Sequence, residues 1–291
     1  MASGNAPPSL GADKDFSMDD DFNHRILLVN DDGIDAPGMQ VLEQAARQLS
    51  DDVWVVAPDR NCSGASHSLS IGSPMRIHRR DDRHFALRAT PTECAMLAIH
   101  ELMKDQPPTI CLSGINRGPN LAEDTAYSGT IAAAREATQL GIPAIALSQV
   151  FAPGEKDFTI GEDRKIHWET SERWCAPLLR QLLQEPLDPG VFLNVNFPGV
   201  LPRQVEGVRF SIQGQRPPGC YVPEPMMDEE GQRYYRLVLA YRDGSPHPDS
   251  DLRAIADNCI SVTPLKLDLT SLEFREKLIG AMTDGLPPMH A

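Results

Sequence analysis

The chain has 291 residues, with 41 Asp and Glu against 27 Lys and Arg, for a formal net charge of -14. That balance excludes a protein that coats nucleic acid or an anionic membrane by charge, while leaving room for a local basic pocket. The length suits one large domain or two small ones around a substantial core, and one domain with an appendage is expected. Six cysteines, Cys62, Cys94, Cys111, Cys175, Cys220 and Cys259, form no C-x-x-C pair, and Cys94 and Cys111 fall in apolar periodic segments, so reduced thiols are expected. No stretch is long enough for a membrane span and the N-terminus lacks the pattern of a secretory signal, which makes the cytoplasm the expected location.

Residues 1–23 are rich in Gly, Pro, Ser and Asp, with Asp13, Asp15, Asp19, Asp20 and Asp21 against Lys14. They are expected to form a disordered acidic leader to a single α/β domain spanning 24–291. The apolar run Ile26-Leu27-Leu28-Val29 predicts a buried strand that passes directly into Asn30-Asp31-Asp32-Gly33. Helical spacing over 37–49, with Pro37 in the first turn, is followed by a strand at 53–57. A polar loop over 58–68 precedes a hairpin of 75–79 with 84–88 and a helix from Thr90-Pro91 to about 103. The next strand is expected at 109–113, with 114–120 as its exit loop. Tyr127-Ser128-Gly129-Thr130 opens an alanine-rich helix to about 140, capped by Ser and Thr, whose free N–H groups and positive dipole end favour a phosphate. Strands at 144–148 and 192–196 flank an amphipathic helix over 168–183. This alternation over 25–200 predicts a mostly parallel sheet with helices on both faces. Beyond it are expected a strand at 205–212, a polar aromatic hairpin at 219–241 with too little apolar surface to stand alone, a short helix at 251–256, a strand at 260–263 and a closing helix at 271–282.

Neighbouring side chains on a strand point to opposite faces, so Asp31 and Asp32 converge on one ligand only if the chain turns, which Gly33 permits. An adjacent acid pair at a strand end suits a hard divalent cation, at the edge where open parallel sheets hold ligands. A solvated Asp-Asp-Gly turn is the plain alternative. Two further loops, expected at the same edge, bring Ser63 and Asn116. Together these residues make an all-oxygen set suited to Mg2+ or Mn2+ rather than zinc, although Ser63 and Asn116 are also ordinary turn residues. A cation beside the helix start at 128–130 would make a phosphoester site. The metal would polarise a phosphoryl oxygen and hold or acidify the attacking water, while Asn120, the Ser128 and Thr130 hydroxyls and nearby backbone N–H groups would stabilise the phosphoryl oxygens. Neither G-x-x-x-x-G-K-[ST] nor a G-x-G-x-x-G after the first strand is present, which disfavours triphosphate and dinucleotide binding.

Four segments in order closely resemble the SurE-type 5'-nucleotidases, the survival protein E family. They are Asn30-Asp31-Asp32-Gly33; Ala57-Pro58-Asp59 with Ser63-Gly64 downstream; Ser113-Gly114-Ile115-Asn116-Arg117-Gly118-Pro119-Asn120; and Tyr127-Ser128-Gly129-Thr130. The resemblance extends over about residues 25–270. It implies a Rossmann-like core and a metal-dependent phosphatase that hydrolyses nucleoside 5'-monophosphates, with 3'-monophosphates also open. It also implies one divalent cation per subunit, Mg2+ or Mn2+, at Asp31, Asp32, Ser63 and Asn116, with Asp31 and Asp32 catalytic, and a phosphate at Asn120, Ser128, Gly129 and Thr130. Homodimers or homotetramers that exchange their C-terminal extensions are implied too, with residues 213–242 as the exchanged hairpin. Two positions depart from the family: Ala89 stands where a Gly usually precedes Thr-Pro, and Arg253 stands where some members have His. Arginine cannot relay a proton at neutral pH, which leaves Asp251 or metal-bound water as the general acid.

His67, four residues after Ser63, either ties its loop together or binds phosphate or relays a proton. Cys62 has no identifiable base or cationic partner and is not expected to be a nucleophile. Arg117 either meets a substrate phosphate or braces its loop. A haloacid-dehalogenase-type phosphatase, the nearest rival, would need D-x-D-G-T with an attacking Asp; Asn-Asp-Asp-Gly-Ile has the wrong spacing. A non-catalytic nucleotide sensor using the same phosphate cradle is the rival from another class.

Overall fold

Two apolar faces on each central strand dictate the layering. β1 (Ile26–Val29) is buried along its whole length and divides its side chains by alternation, Ile26 and Leu28 into one core and Leu27 and Val29 into the other. The first core is closed by α1 (Pro37–Ala46) and α4 (Trp168–Leu182), the second by α2 (Pro91–Leu97) and α3 (Gly129–Gln139). The computed structural model describes residues 24–153, 165–219, 221–239 and 246–281; the expected acidic leader lies outside them.

The remaining strands, in chain order, are β2 (Val53–Pro58), β3 (Ile77–Arg79), β4 (His84–Leu87), β5 (Ile110–Arg117), β6 (Ala144–Gln149), β7 (Val191–Phe197), β8 (Gly207–Phe210), β9 (Tyr221–Met227), β10 (Arg233–Leu239) and β11 (Cys259–Lys266). Among the described residues, eight of them join β1 in one nine-stranded sheet of order β3-β4-β2-β1-β5-β6-β7-β11-β8. From β4 to β7 the neighbours run parallel, and β3 joins β4 as the expected antiparallel hairpin. The protein is therefore the α/β fold with a mostly parallel, helix-covered sheet that the alternation predicts. Because β2, β1 and β5 are adjacent and parallel, the loops that follow them leave the sheet side by side at one edge.

Three expectations need correction. The region beyond residue 202 does not merely append to a finished sheet: β11 pairs antiparallel with β7, placing Thr263 opposite Asn194, and β8 pairs parallel with β11. The segment 114–120 is not wholly a loop. β5 continues through Arg117, with a break in register against β6 between Ser113 and Asn116, and such irregularities re-aim the side chains beyond them. The helix starting at Thr90, fixed by a capping box with Glu93, is α-helical only to Leu97 and ends in a π-helical turn, Ala98–Leu102.

The hairpin of β9 and β10 forms a separate antiparallel sheet, followed by α5 (Asp251–Ala256) and, after β11, by α6 (Leu272–Ala281). Cys62, Cys94, Cys111, Cys175 and Cys259 are free thiols; Cys220 lies outside the described residues. Among the described residues, no helix is long and apolar enough to cross a membrane. The layering makes a direct prediction. Leu28→Ala, which empties a fully buried position, lowers the unfolding free energy by about 2–5 kcal/mol in a urea titration. Ile71→Ala in the loop after β2, where Ile71 is 90% exposed, changes it by less than about 0.5 kcal/mol.

Candidate active site

The turn after β1 is closed by Asn30, whose Nδ2 donates to the Gly33 carbonyl at 2.7 Å and whose Oδ1 accepts from the Gly33 N–H at 3.2 Å. This turn sends the two aspartates to different partners. Asp31 is only 3% exposed, and its Oδ1 accepts a hydrogen bond from the Thr130 hydroxyl at 2.6 Å. The start of α3 comes so close that a Cβ on Gly129 would lie 2.8 Å from Asp31 Cβ and 3.0 Å from its Oδ2. Only a residue without a side chain permits that approach. Burial, and then the neighbouring Asp32 charge, push the Asp31 carboxyl up to about 6, against the opposing pull of the Thr130 hydroxyl and backbone N–H.

Asp32 is half-buried. Its Oδ2 accepts from the Arg117 backbone N–H at 2.8 Å and its Oδ1 from Asn61 Nδ2 at 3.3 Å. Burial raises its carboxyl too, opposed by that N–H and by the Arg117 charge. Asn61 also accepts from the Ser63 N–H at 2.7 Å, and the Cys62 N–H donates to the Asp31 carbonyl at 2.7 Å, so the loop after β2 is fastened to both aspartates and presents an exposed Ser63 beside them. On the opposite flank Asn116 donates its Nδ2 to the Gly118 carbonyl at 2.9 Å, which leaves its Oδ1 for another partner. The structure therefore brings Asp31, Asp32, Ser63 and Asn116 to one edge of the sheet. Among the described residues, no group of three or more His, Cys, Asp and Glu side chains could hold a metal. The donor set here is two carboxylates with neutral oxygens, which fits a hard divalent cation and not zinc. Arg117 braces its loop: its guanidinium carbon lies 5.6 Å from the centroid of the Phe151 ring.

The residues expected to contact phosphate have other partners as well. The Ser128 hydroxyl oxygen caps α3 by accepting from the Ile131 N–H at 3.1 Å, which leaves its own proton to donate, whereas the Thr130 hydroxyl donates its proton to Asp31. Asn120 is buried in an amide cluster: its Nδ2 donates to Ser148 Oγ at 2.9 Å, its N–H to Asn196 Oδ1 at 2.9 Å, and its carbonyl accepts from Asn194 Nδ2 at 2.8 Å. Of the first N–H groups of α3, that of Ile131 goes to Ser128 Oγ and that of Thr130 to Asp31, which leaves the Gly129 N–H, beside the Ser128 hydroxyl, as the backbone donor for an anion. Asn194 and Asn196 are supports that sequence reasoning passed over. Two amides spaced by two in an otherwise apolar strand, and therefore on one face, were the available signal.

Other expectations resolve toward structure rather than chemistry. His67 Nε2 lies 2.8 Å from Glu136 Oε2 on α3, so the imidazole ties its loop to that helix. The Cys62 thiol is pushed up by burial and makes a long contact to the Ala89 carbonyl, against any role as nucleophile. Ala89 is not among the described non-glycine residues with positive φ, so its departure from glycine strains nothing. Arg253 is exposed and paired with Asp257 at 2.8 Å. Asp251, named above as a possible general acid, is fully buried and accepts backbone N–H bonds from Ala122 at 2.8 Å, Gly214 at 2.9 Å and Leu252 at 2.7 Å, which makes it a strut.

The motif set and its geometry agree with comparison to known proteins. Residues 26–219 match the model of the family described as survival protein SurE. The chain belongs to the SurE family. A relative from Chelativorans sp. (strain BNC1), named 5'-nucleotidase SurE, is 46% identical over 258 residues, covering 89% of this chain and 99% of the relative. One from Methylorubrum populi with the same name is 45% identical over 246 residues, 84% of this chain and 94% of the relative. The crystal structure of the SurE protein from Aquifex aeolicus superposes with a TM-score of 0.73 at 33% identity, covering 87% of this chain and 97% of that one.

For this SurE chain the buried acid pair carries a stability cost that can be measured. A carboxyl raised above its unfolded value is disfavoured as a charge in the folded state, so its contribution is best below about pH 4 and is lost as pH rises from there through about 6. In EDTA at pH 7.5, Asp31→Asn is accordingly expected to stabilise the fold by on the order of 1–3 kcal/mol in thermal or urea unfolding.

Proposed function

We propose that this protein is a divalent-cation-dependent 5'-nucleotidase, a phosphoric monoester hydrolase that converts nucleoside 5'-monophosphates to nucleoside and phosphate. The observation that carries the reading is the contact of Asp31 with the N-terminal turn of α3. It sets a cation-binding carboxylate and an anion-binding helix start within one hydrogen bond of each other. Membership of the SurE family and the names of its relatives support the substrate class.

In this reading Asp31, Asp32, Ser63 and Asn116 hold one Mg2+ or Mn2+, which when bound supplies Lewis-acid polarisation of a phosphoryl oxygen and a lowered pKa for water at its open positions. The chain's own residues do the positioning. Thr130 fixes the rotamer of Asp31, Asn61 and the Arg117 N–H fix Asp32, and the fastening of the Cys62 and Ser63 N–H groups keeps the Ser63 loop from drifting. The Gly129 N–H and the Ser128 hydroxyl proton, at the start of α3, then meet the charge that builds on the phosphoryl oxygens, from a helix start that needs no reorganisation. Free thiols fit a reducing compartment, and we assign the enzyme to the cytoplasm.

The decisive measurement is phosphate release from AMP and GMP, with 3'-AMP in the same panel, in the presence of Mn2+ or Mg2+. Turnover is expected with either metal and is abolished by EDTA; Asp31→Asn loses on the order of 10²-fold or more in kcat/KM, since even groups that merely orient a ligand are worth 10- to 100-fold. Binding without turnover across the panel would sink the enzyme in favour of a nucleotide sensor, and a phosphoaspartate trapped on Asp31 or Asp32 by rapid quench would replace hydrolysis by water with covalent catalysis.

We further propose a homodimer or homotetramer that exchanges the hairpin of β9 and β10. Its support is that a two-stranded sheet is marginal alone and that this one leaves Met227, Tyr235 and Leu237 exposed. Light scattering after size exclusion is expected to show an oligomer that deletion of 222–239 weakens; a monomeric full chain would refute the exchange.

A further inference from the structure

Backbone N–H groups at a helix start recognise phosphate but are blind to what is esterified to it, so the nucleoside must be read elsewhere. Two tyrosines in contact with each other, one of them just before that helix start, are candidates for it. Tyr127 is 55% exposed and Tyr221 is 41% exposed, and their rings meet edge to face with centroids 5.3 Å apart. Both are held in place. The Tyr127 N–H donates to the Asp124 carbonyl at 3.0 Å and its own carbonyl accepts from the Ser66 N–H at 3.2 Å, while the Tyr221 hydroxyl donates to Asp124 Oδ1 at 2.8 Å. Asp124 is itself clamped by Arg216 through two bonds of 2.9 Å. The pair is therefore an ordered aromatic surface open to solvent, and not a loose side chain.

Its position matches the substrate. Tyr127 lies two residues before Gly129, the residue packed on Asp31, so its Cα is within about 7 Å of the phosphate-binding turn, comparable to the span of a ribose between its 5'-phosphate and its base. We propose that Tyr127, backed by Tyr221, is the platform on which the base of a nucleoside monophosphate stacks, and that the C-terminal extension thereby takes part in substrate selection. A π-face accepts any base, so the platform discriminates nucleotides from sugar phosphates more strongly than one base from another.

The inference rests on the nucleotidase reading and is tested by comparing kcat/KM for AMP and ribose 5-phosphate, with Mn2+, in the full chain and its variants. The unaltered enzyme favours AMP by about tenfold or more. Tyr127→Ala removes about tenfold of that preference through KM rather than kcat, Tyr127→Phe retains it because the ring and not the hydroxyl stacks, and Tyr221→Ala removes about threefold. An equal loss on both substrates in Tyr127→Ala, or an undiminished preference, overturns the platform. Should Tyr127→Ala not fold, competition decides: adenosine inhibits the unaltered enzyme and ribose does not, and adenosine no better than ribose overturns the proposal. An unaltered enzyme active on both phosphates with equal efficiency overturns the platform alone, whereas one that hydrolyses neither overturns the nucleotidase reading and the platform with it.

Discussion

The contact between Thr130 and Asp31 is the constraint on which the rest of the site depends. A carboxylate that is 3% exposed and adjacent to a second carboxylate sits in an unfavourable position, and neither neutral packing nor the Asp32 charge relieves it. The relief comes from the N-terminus of α3, through one hydroxyl, a backbone N–H and the positive end of the helix dipole. That arrangement exists only because Gly129 lets the helix close on the carboxylate without a side chain in between. Asp31 and α3 are thus a single unit. Displacing either moves the strand end and the helix start together.

A second set of buried charges holds that unit in place from the outside. The segment Leu121 to Tyr127, which leads into α3, is gripped by the start of the C-terminal extension: Arg216 forks onto Asp124 and reaches Glu123 at 3.1 Å, and Asp251 accepts N–H bonds from both Ala122 and Gly214. Buried ion pairs of this kind add little net stability against apolar replacements, but breaking one partner leaves a charge stranded. Their effect is therefore to fix one arrangement. The base of the extension is pinned to its own core by these bonds, so any exchange between subunits begins beyond Tyr221.

The central strands, their flanking helices and the shared edge of three loops were legible in the sequence, because each is written in a local pattern: four apolar residues ending in Asn30, helical spacing after Pro37, Ser128 before an alanine-rich run. The meeting of Asp31, Asp32, Ser63 and Asn116 at one edge was legible for the same reason, as oxygen-bearing side chains at the ends of neighbouring parallel strands. What was not legible is pairing over distance. Thr130 and Asp31 are 99 residues apart, and nothing in the 128–130 segment marks its hydroxyl as a partner for a carboxylate rather than for a phosphate. The same limit hid the insertion of β11 beside β7 and the conversion of Asp251 from an apparent acid into a threefold acceptor. Local pattern specifies which faces are buried; it does not name the residue on the other side.

That redistribution of roles changes how the anion is recognised. With Thr130 spent on Asp31 and Asn120 in the amide cluster, phosphate recognition in the proposed reading falls to the Gly129 N–H and the Ser128 hydroxyl proton, both fixed in place by the helix start. A cradle of this kind is small and rigid, and it is indifferent to the alcohol on the far side of the ester. Selectivity must then come from surfaces outside the cradle. The nearest ordered surface is aromatic, and one of its two rings belongs to the extension rather than to the parallel core. In the proposed reading this division puts affinity for phosphate at the strand end and the helix start, and leaves discrimination to a part of the chain outside the nine-stranded sheet.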